Sequence, residues 1–177
     1  MKKTLWLLAF LGILFTSSKC DKKTIEPDTE TLPPITNTGV EKLGCLINGK
    51  VWVTGAPYFL SNPKTSFNID TVGKYLNISA IKDKDLKSMS LYFNYVEFQI
   101  GSYKINYNDI VFRDHIKCAS SPNYELDTMA NNIVKINFID KTKRIVSGEF
   151  NFNCINKGCK DSAIITNGRF DLNFNYW

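Results

Sequence analysis

His115 is the only histidine of the chain, and it directly follows Asp114 in the run FRDHIKC. A histidine whose ring is held by a carboxylate can act as a general base. Neighbouring residues of a strand face opposite sides, however, so Asp114 is poorly placed to orient that ring. No Gly-x-Ser-x-Gly run accompanies the histidine. We therefore expect no catalytic residue, and we interpret His115 as a surface or loop histidine.

Four other side chains are candidate ligand contacts. Arg169 and Asp171 are two positions apart on one strand face. They form either a pair that recognises a ligand or a cross-strand ion pair worth less than about 1 kcal/mol. Trp52 and Tyr58 lie on either side of a Gly-Ala-Pro run. They form either a stacking platform for a sugar or part of the core.

A metal site is not expected. Asp83 and Asp85 are spaced like two ligands of a calcium loop, but Lys84 lies between them, and the glycine and glutamate that complete such a loop are missing. A zinc site would need more than one close cysteine pair or more than one histidine. We predict neither a metal nor another cofactor.

The chain begins with two lysines and an apolar run over residues 4–15. Twelve helical residues span about 18 Å, too little for a bilayer core of about 30 Å, so the run is typical of a signal peptide. The following TSSKC resembles the lipobox of bacterial lipoproteins, which implies that Cys20 is lipidated and becomes the new N-terminus. An ordinary secretory leader cleaved after Ser18 is the alternative.

With Cys20 lipidated, four cysteines remain, an even number that suits two disulfides in an oxidising compartment. Three pairings of the four are possible. Proximity in sequence favours Cys154–Cys159, which leaves Cys45–Cys118.

The net charge of +5 does not indicate a nucleic-acid partner. Three of the 22 basic residues lie in the leader, which leaves 19 basic against 17 acidic residues in the mature part. No cluster of basic and aromatic residues remains after that subtraction, so we expect no binding to nucleic acid.

The organisation of the chain follows from its composition. Residues 1–19 form the leader, and residues 20–40, polar and rich in Thr and Pro, form a lipid-anchored flexible tether. Residues 41–177 are predicted to be one all-β domain. Apolar and polar residues alternate over most of it, and Asn48-Gly49 indicates a hairpin. Asn167-Gly168 indicates a bulge in one long bent strand, with a second tight turn as the alternative. About eight to ten strands and little helix predict an antiparallel β-sandwich or a partly open β-barrel.

Two motifs, GCLINGKVWV and VSGEFNFN…ITNGRFD, resemble the ends of small uncharacterised lipoproteins of Bacteroidetes. The resemblance implies a domain of unknown function at the outer membrane or cell surface, and it supplies no catalytic residue. We expect a membrane-anchored domain that binds an unknown protein or glycan rather than an enzyme. The alternative is a small envelope hydrolase with a carboxylate-based site.

Overall fold

The computed structural model describes residues 31–55, 75–82, 86–94 and 99–173. They form ten β-strands, and a 3-10 turn at Tyr107–Asp109 is their one short helical element. The strands are β1 (Lys42–Ile47), β2 (Lys50–Gly55), β3 (Tyr75–Lys82), β4 (Lys87–Asn94), β5 (Gly101–Lys104), β6 (Ile110–Asp114), β7 (Asn123–Leu126), β8 (Ile133–Asp140), β9 (Ile145–Asn156) and β10 (Asp161–Asn173). Within these ranges no helix is long and apolar enough to cross a bilayer.

All strand pairs are antiparallel, and the ten strands form one sheet. Its order is β2-β1-β10-β9-β7-β6-β4-β3, and β8 pairs with β9 on one side and β5 on the other. The end strands β2 and β3 approach each other, so the sheet is nearly closed into a barrel. This confirms the all-β prediction.

The core follows the alternation of the sequence. On β9, Phe150, Phe152 and Cys154 are buried, whereas the intervening Asn151 and Asn153 are exposed or half-buried. Such a sheet keeps one face dry and one face wet. The largest fully buried side chains come from strands all around the barrel: Leu43, Ile78, Met89, Leu91, Phe112, Ile136, Phe150, Phe152, Ile165 and Leu172.

The predicted hairpin is confirmed, since Asn48 and Gly49 join β1 to β2 with φ of 50° and 77°. Positive φ at both central residues matches the right-handed twist of the strands and suits the Asn-Gly pair. The Asn48 side chain also fixes β10. Its Oδ1 accepts from Ile164 N at 2.8 Å, and its Nδ2 donates to Ser162 O at 3.1 Å. The turn thus extends the β1–β10 pairing beyond the end of β1.

The predicted bulge is also confirmed. The β9–β10 register shifts between Ile165 and Gly168, and Asn167 takes a φ of 52°. Gly168 then lies opposite Phe150, and a Cβ built on it would be 2.4 Å from the phenylalanine ring. Only glycine leaves room for that ring at the bend.

The predicted disulfide pairing is wrong. Cys118 bonds to Cys159, with Cα atoms 5.9 Å apart, and Cys45 and Cys154 are free and buried. Cys154 points into the core from β9, whereas Cys159 lies in the turn after that strand. The turn meets the loop that follows β6, where a Cβ on Gly158 would be 3.2 Å from Ser121 Oγ. Closeness along the chain therefore misled the prediction, because it ignored which way each side chain faces.

Candidate functional site

Trp52 does not form a surface platform. Its side chain is buried, with 3% of the residue exposed, and it lies opposite Cys45 in the β1–β2 pairing. Among the described residues, its Nε1 has no hydrogen-bond partner. The core alternative is therefore the correct one for this residue. Tyr58, the other half of the predicted platform, lies outside the described residues.

Arg169 and Asp171 contact the chain's own N-terminal segment. Asp171 is buried, with 3% of the residue exposed, on the outer side of β10. Its carboxylate accepts hydrogen bonds from Thr36 Oγ1 at 2.6 Å, Thr38 N at 2.9 Å and Gly39 N at 2.8 Å. Residues 33–39, which we call the N-terminal strap, cover it.

Two further contacts complete the attachment of the strap. Arg169 donates from Nη1 to Pro33 O at 3.0 Å, and Asn173 donates from Nδ2 to Gly39 O at 2.8 Å. Pro33 is buried against β1, and a Cβ built on Gly44 would lie 2.5 Å from Pro33 Cδ. The absence of a side chain at Gly44 makes room for the proline ring.

The strap corrects two predictions. The tether was predicted to run flexibly to residue 40, but residues 33–39 are bound to β10, so the folded domain begins before residue 41. Arg169 and Asp171 were predicted to recognise a ligand or to pair with each other, and both instead hold the strap. The glycine of the first sequence motif and the Arg and Asp of the second therefore meet at one structural site.

Replacing Asp171 with asparagine tests the strap. The substitution keeps the shape but turns an acceptor oxygen into an NH₂ group that faces backbone donors. Hydrogen bonds to a charged group contribute about 1.5–3 kcal/mol, so we expect a loss of about 2–3 kcal/mol in the free energy of unfolding. Deuterium exchange at the amides of Thr38 and Gly39 should also become faster.

Asp140→Asn is the matched control for that experiment. Asp140 also accepts from two backbone amides, Thr142 N at 2.9 Å and Lys143 N at 2.8 Å, but it does so in an exposed turn. We expect a loss of at most about 1 kcal/mol. Equal losses in the two variants would contradict a special role for Asp171.

His115 does not interact with Asp114 as a catalytic pair. Asp114 is buried at the end of β6, where its Oδ1 accepts from Ile116 N and Lys117 N and its Oδ2 forms an ion pair with Lys87 at 3.2 Å. His115 is exposed in the following turn. This agrees with the interpretation of His115 as a loop residue.

His115 does, however, line a cavity of about 260 Å³ where β3, β4 and β6 end. The register there forms two rows across the three strands. Ile81, Ser88 and Arg113 make one row, and Lys82, Lys87 and Asp114 make the other. We call this cavity the cationic cavity. Every residue of the two rows except Asp114 lines the cavity. Leu86 and His115 line it as well.

A second polar cluster adjoins the disulfide. Tyr124 donates from its hydroxyl to Asp161 Oδ2 at 2.6 Å, and Lys117 forms an ion pair with Asp161 Oδ1 at 2.5 Å. Burial, with the hydrogen bond to Asp161, raises the pKa of Tyr124. Burial alone would raise the pKa of Asp161, but the bonds from Lys117 and Tyr124 outweigh it and lower that pKa. The cluster adjoins the Cys118–Cys159 bridge, because Tyr124 Oη is also 3.2 Å from Cys118 Sγ.

The six described aspartates all have structural partners. Asp109, Asp127 and Asp140 accept from backbone amides of their own turns. Asp114, Asp161 and Asp171 have the contacts given above. Over the described ranges, no three His, Cys, Asp or Glu side chains come together as a metal site would require.

No protein-family model, curated protein or solved structure matches this chain. The resemblance of its two motifs to Bacteroidetes lipoproteins therefore stays a prediction. The predicted lipidation site Cys20 and the acidic pair Asp83 and Asp85 lie outside the described residues.

Sequence reasoning missed the strap and the cationic cavity. The strap residues Pro33 and Thr36 lie in a stretch without periodicity, which reads as a linker. Asp171 gave no signal of it, because it lies on the polar face of β10 with Arg169 and Asn173, as a residue of a solvent-exposed strand face would. Lys82 and Lys87 of the cavity are five positions apart, but Arg113 follows 26 positions after Lys87, and only the strand register places it beside them.

Proposed function

We propose that this protein is a lipid-anchored domain of the bacterial cell envelope that acts by binding rather than by catalysis. The proposal rests on the leader, on Cys20 and on the disulfide. A Cys118–Cys159 bridge suits an oxidising compartment, as a secretory leader requires. An outer-membrane or cell-surface location is part of the proposal, as is a protein or glycan ligand.

The disulfide is the structural observation that carries the proposal, and the strap sets how far an anchor at Cys20 would lie from the domain. A chain anchored at Cys20 and bound to β10 from Pro33 onward has only a short connection between lipid and domain. The twelve residues 21–32 can span at most about 43 Å when fully extended. An anchor at Cys20 would therefore keep the domain within about that distance of the membrane, attached through its β1–β10 side.

The carboxylates support binding over hydrolysis. A carboxylate-based hydrolase needs two acidic groups that converge on a substrate. The described aspartates instead accept from the backbone of their own turns, form ion pairs or hold the strap. No described feature favours the hydrolase alternative.

Replacing Cys20 with alanine tests the anchor. Each buried CH₂ of an acyl chain contributes about 0.8 kcal/mol to membrane binding, so two or three chains give stable attachment. We expect the Cys20→Ala protein to move from the membrane fraction to the soluble fraction and to lose labelling by radioactive palmitate. Ser17→Ala, which keeps the cysteine, serves as the control and should stay with the membrane. Unchanged membrane association of Cys20→Ala would contradict the proposal.

A further inference from the structure

We propose that a polar cavity beside the β7–β8 loop binds one sugar unit of a glycan, through the hydroxyl edge and one face of the sugar ring. The inference rests on the proposed binding function and deepens it, because it names the class of ligand. It does not depend on the lipid anchor, since the cavity is built from the ends of β5 and β7 and the segments that follow them.

The cavity lies where the sheet branches. β10 pairs with β9 along the length of that strand, so β7 and β8 share its other edge. β7 pairs with Cys154 and Ile155, and β8 pairs with the residues of β9 up to Asn151. Between the two branches, residues 104–107 and 126–132 surround a space of about 120 Å³, which we call the branch cavity. Its walls thus come from both branches of the sheet.

Asn132 forms the inner wall of the branch cavity, with 2% of the residue exposed. Its backbone oxygen accepts from Ile105 N at 3.0 Å, and its Oδ1 accepts from Asn153 N at 2.9 Å. Its Nδ2 donates to Asp127 O at 2.7 Å. A side-chain amide nitrogen carries two hydrogens, and the described residues give this one a single acceptor. The second N–H is therefore available to an oxygen atom in the cavity, such as a sugar hydroxyl.

Tyr107 lies at the mouth of the branch cavity, at the start of the 3-10 turn. The buried Asp109 closes this turn, because its Oδ2 accepts from Asn106 N at 2.7 Å. Tyr107 is 53% exposed. A half-exposed tyrosine ring can cover the C–H face of a sugar, and its hydroxyl can bond a sugar oxygen. Because the turn is fixed in advance, little conformational freedom is lost on binding.

The remaining lining favours an uncharged ligand. Ile105 and Leu126 are buried and supply an apolar floor, and Thr128 adds an exposed hydroxyl. Among the described residues that line the cavity, Lys104 is the one charged residue, and it is exposed. An exposed ammonium group without a second cation attracts an anion only weakly in water, but it can donate to hydroxyl oxygens.

The volume decides how much of a sugar enters. An engineered cavity of about 150 Å³ in another protein holds one benzene molecule. The branch cavity, at about 120 Å³, therefore admits less than a whole six-membered ring. One edge of a pyranose ring, with its hydroxyl groups, would enter and meet Asn132 and Thr128. The face of the ring would lie outside, against Tyr107.

A titration tests the inference on the purified full chain in a non-ionic detergent. The probes are D-glucose, D-galactose and N-acetyl-D-glucosamine, with D-sorbitol as a polyol that has hydroxyl groups but no ring. Two-dimensional NMR of the isotope-labelled chain follows the backbone amides of Thr128 and Asn132. We expect at least one sugar to shift both amides, with a dissociation constant in the millimolar range and at least about fivefold tighter than that of sorbitol.

Variants locate the binding site. We expect Tyr107→Ala to weaken sugar binding at least about tenfold, whereas Tyr107→Phe, which keeps the ring, should stay within about threefold of the parent. Thr128→Val should weaken binding about threefold. Tyr92→Ala is the matched control, because Tyr92 is a 36% exposed tyrosine on β4 outside the cavity, and it should leave the affinity unchanged. Circular dichroism checks that each variant is folded.

Four results would overturn the inference. They are the absence of shifts with all three sugars, equal binding of sorbitol, equal losses in Tyr92→Ala and Tyr107→Ala, and an affinity that falls steeply with added salt. The last result would indicate an anion bound at Lys104, since salt screens charges but not neutral hydroxyl groups. Membrane fractionation of Cys20→Ala reports on the anchor separately, so failure of one proposal does not decide the other.

Discussion

Replacing Gly148 with alanine is expected to lower the free energy of unfolding by about 3 kcal/mol or more. Gly148 lies on β9 between β8 and β10, in the middle of the sheet. A Cβ at this position would be 2.2 Å from Lys135 O and 2.5 Å from Phe170 Cζ. The carbonyl belongs to the backbone of β8, so a whole strand must shift, and overpacking of this kind costs about 1–3 kcal/mol and sometimes more. Urea denaturation measures the loss as a lower midpoint.

Gly101→Ala provides the matched control for the Gly148 variant. The nearest atom to a Cβ at Gly101, also a strand glycine, is Tyr103 Oη at 3.5 Å, an ordinary contact. We expect this variant to be within about 0.5 kcal/mol of the parent. If both alanine variants unfold at the same urea concentration, the close packing of Phe170 over Gly148 is not what stabilises this part of the sheet.

Removing the disulfide with the double variant Cys118→Ala and Cys159→Ala is expected to cost about 4 kcal/mol. The bridge joins residues 41 positions apart. Closing a loop of this length lowers the conformational entropy of the unfolded chain. The entropy lost corresponds to about 4 kcal/mol of folding stability at 25 °C. Thermal unfolding with and without a reductant measures the effect. The parent protein should lose stability on reduction, whereas the double variant should not respond.

Cys45 and Cys154, the two free cysteines of the described part of the chain, give an independent check of the pairing. Burial raises the pKa of the Cys45 thiol and of the Cys154 thiol to about 12 each. At pH 8 almost no thiolate forms, and the thiolate is the reactive species. Iodoacetamide should therefore modify neither cysteine in the folded protein and both in urea without reductant. Modification of Cys118 or Cys159 under those conditions would contradict the bridge.

The strands could be predicted from sequence because local rules decide them. Alternation along β9 and β10 fixed which side chains face the core, and Asn48-Gly49 required a tight turn. The bulge at Asn167 followed from the alternation of its neighbours, which keeps its phase and therefore favours one long bent strand over a second tight turn. Each of these features depends on a few adjacent residues, where chain geometry leaves few choices.

Features that depend on distant residues could not be predicted in this way. The strap binds a carboxylate more than 130 positions away, and no periodicity marks either partner. The bridge depends on two turns that meet only after β7 joins β6 to β9. The cationic cavity depends on the register of three strands. In each case, the missing information was the order of the strands in the sheet.

The strap and β1 both bind β10, the last strand of the chain, and this affects how the protein folds during synthesis. A ribosome makes the strap and β1 first, but their common partner β10 is made last. Long sequence separation between contacting segments slows folding, because the loop must close before the contact forms. The hydrophobic face of the β1–β2 hairpin must therefore remain without its neighbour until translation has reached β10. Chains that stop short of Arg169 would expose that face to aggregation and to proteolysis.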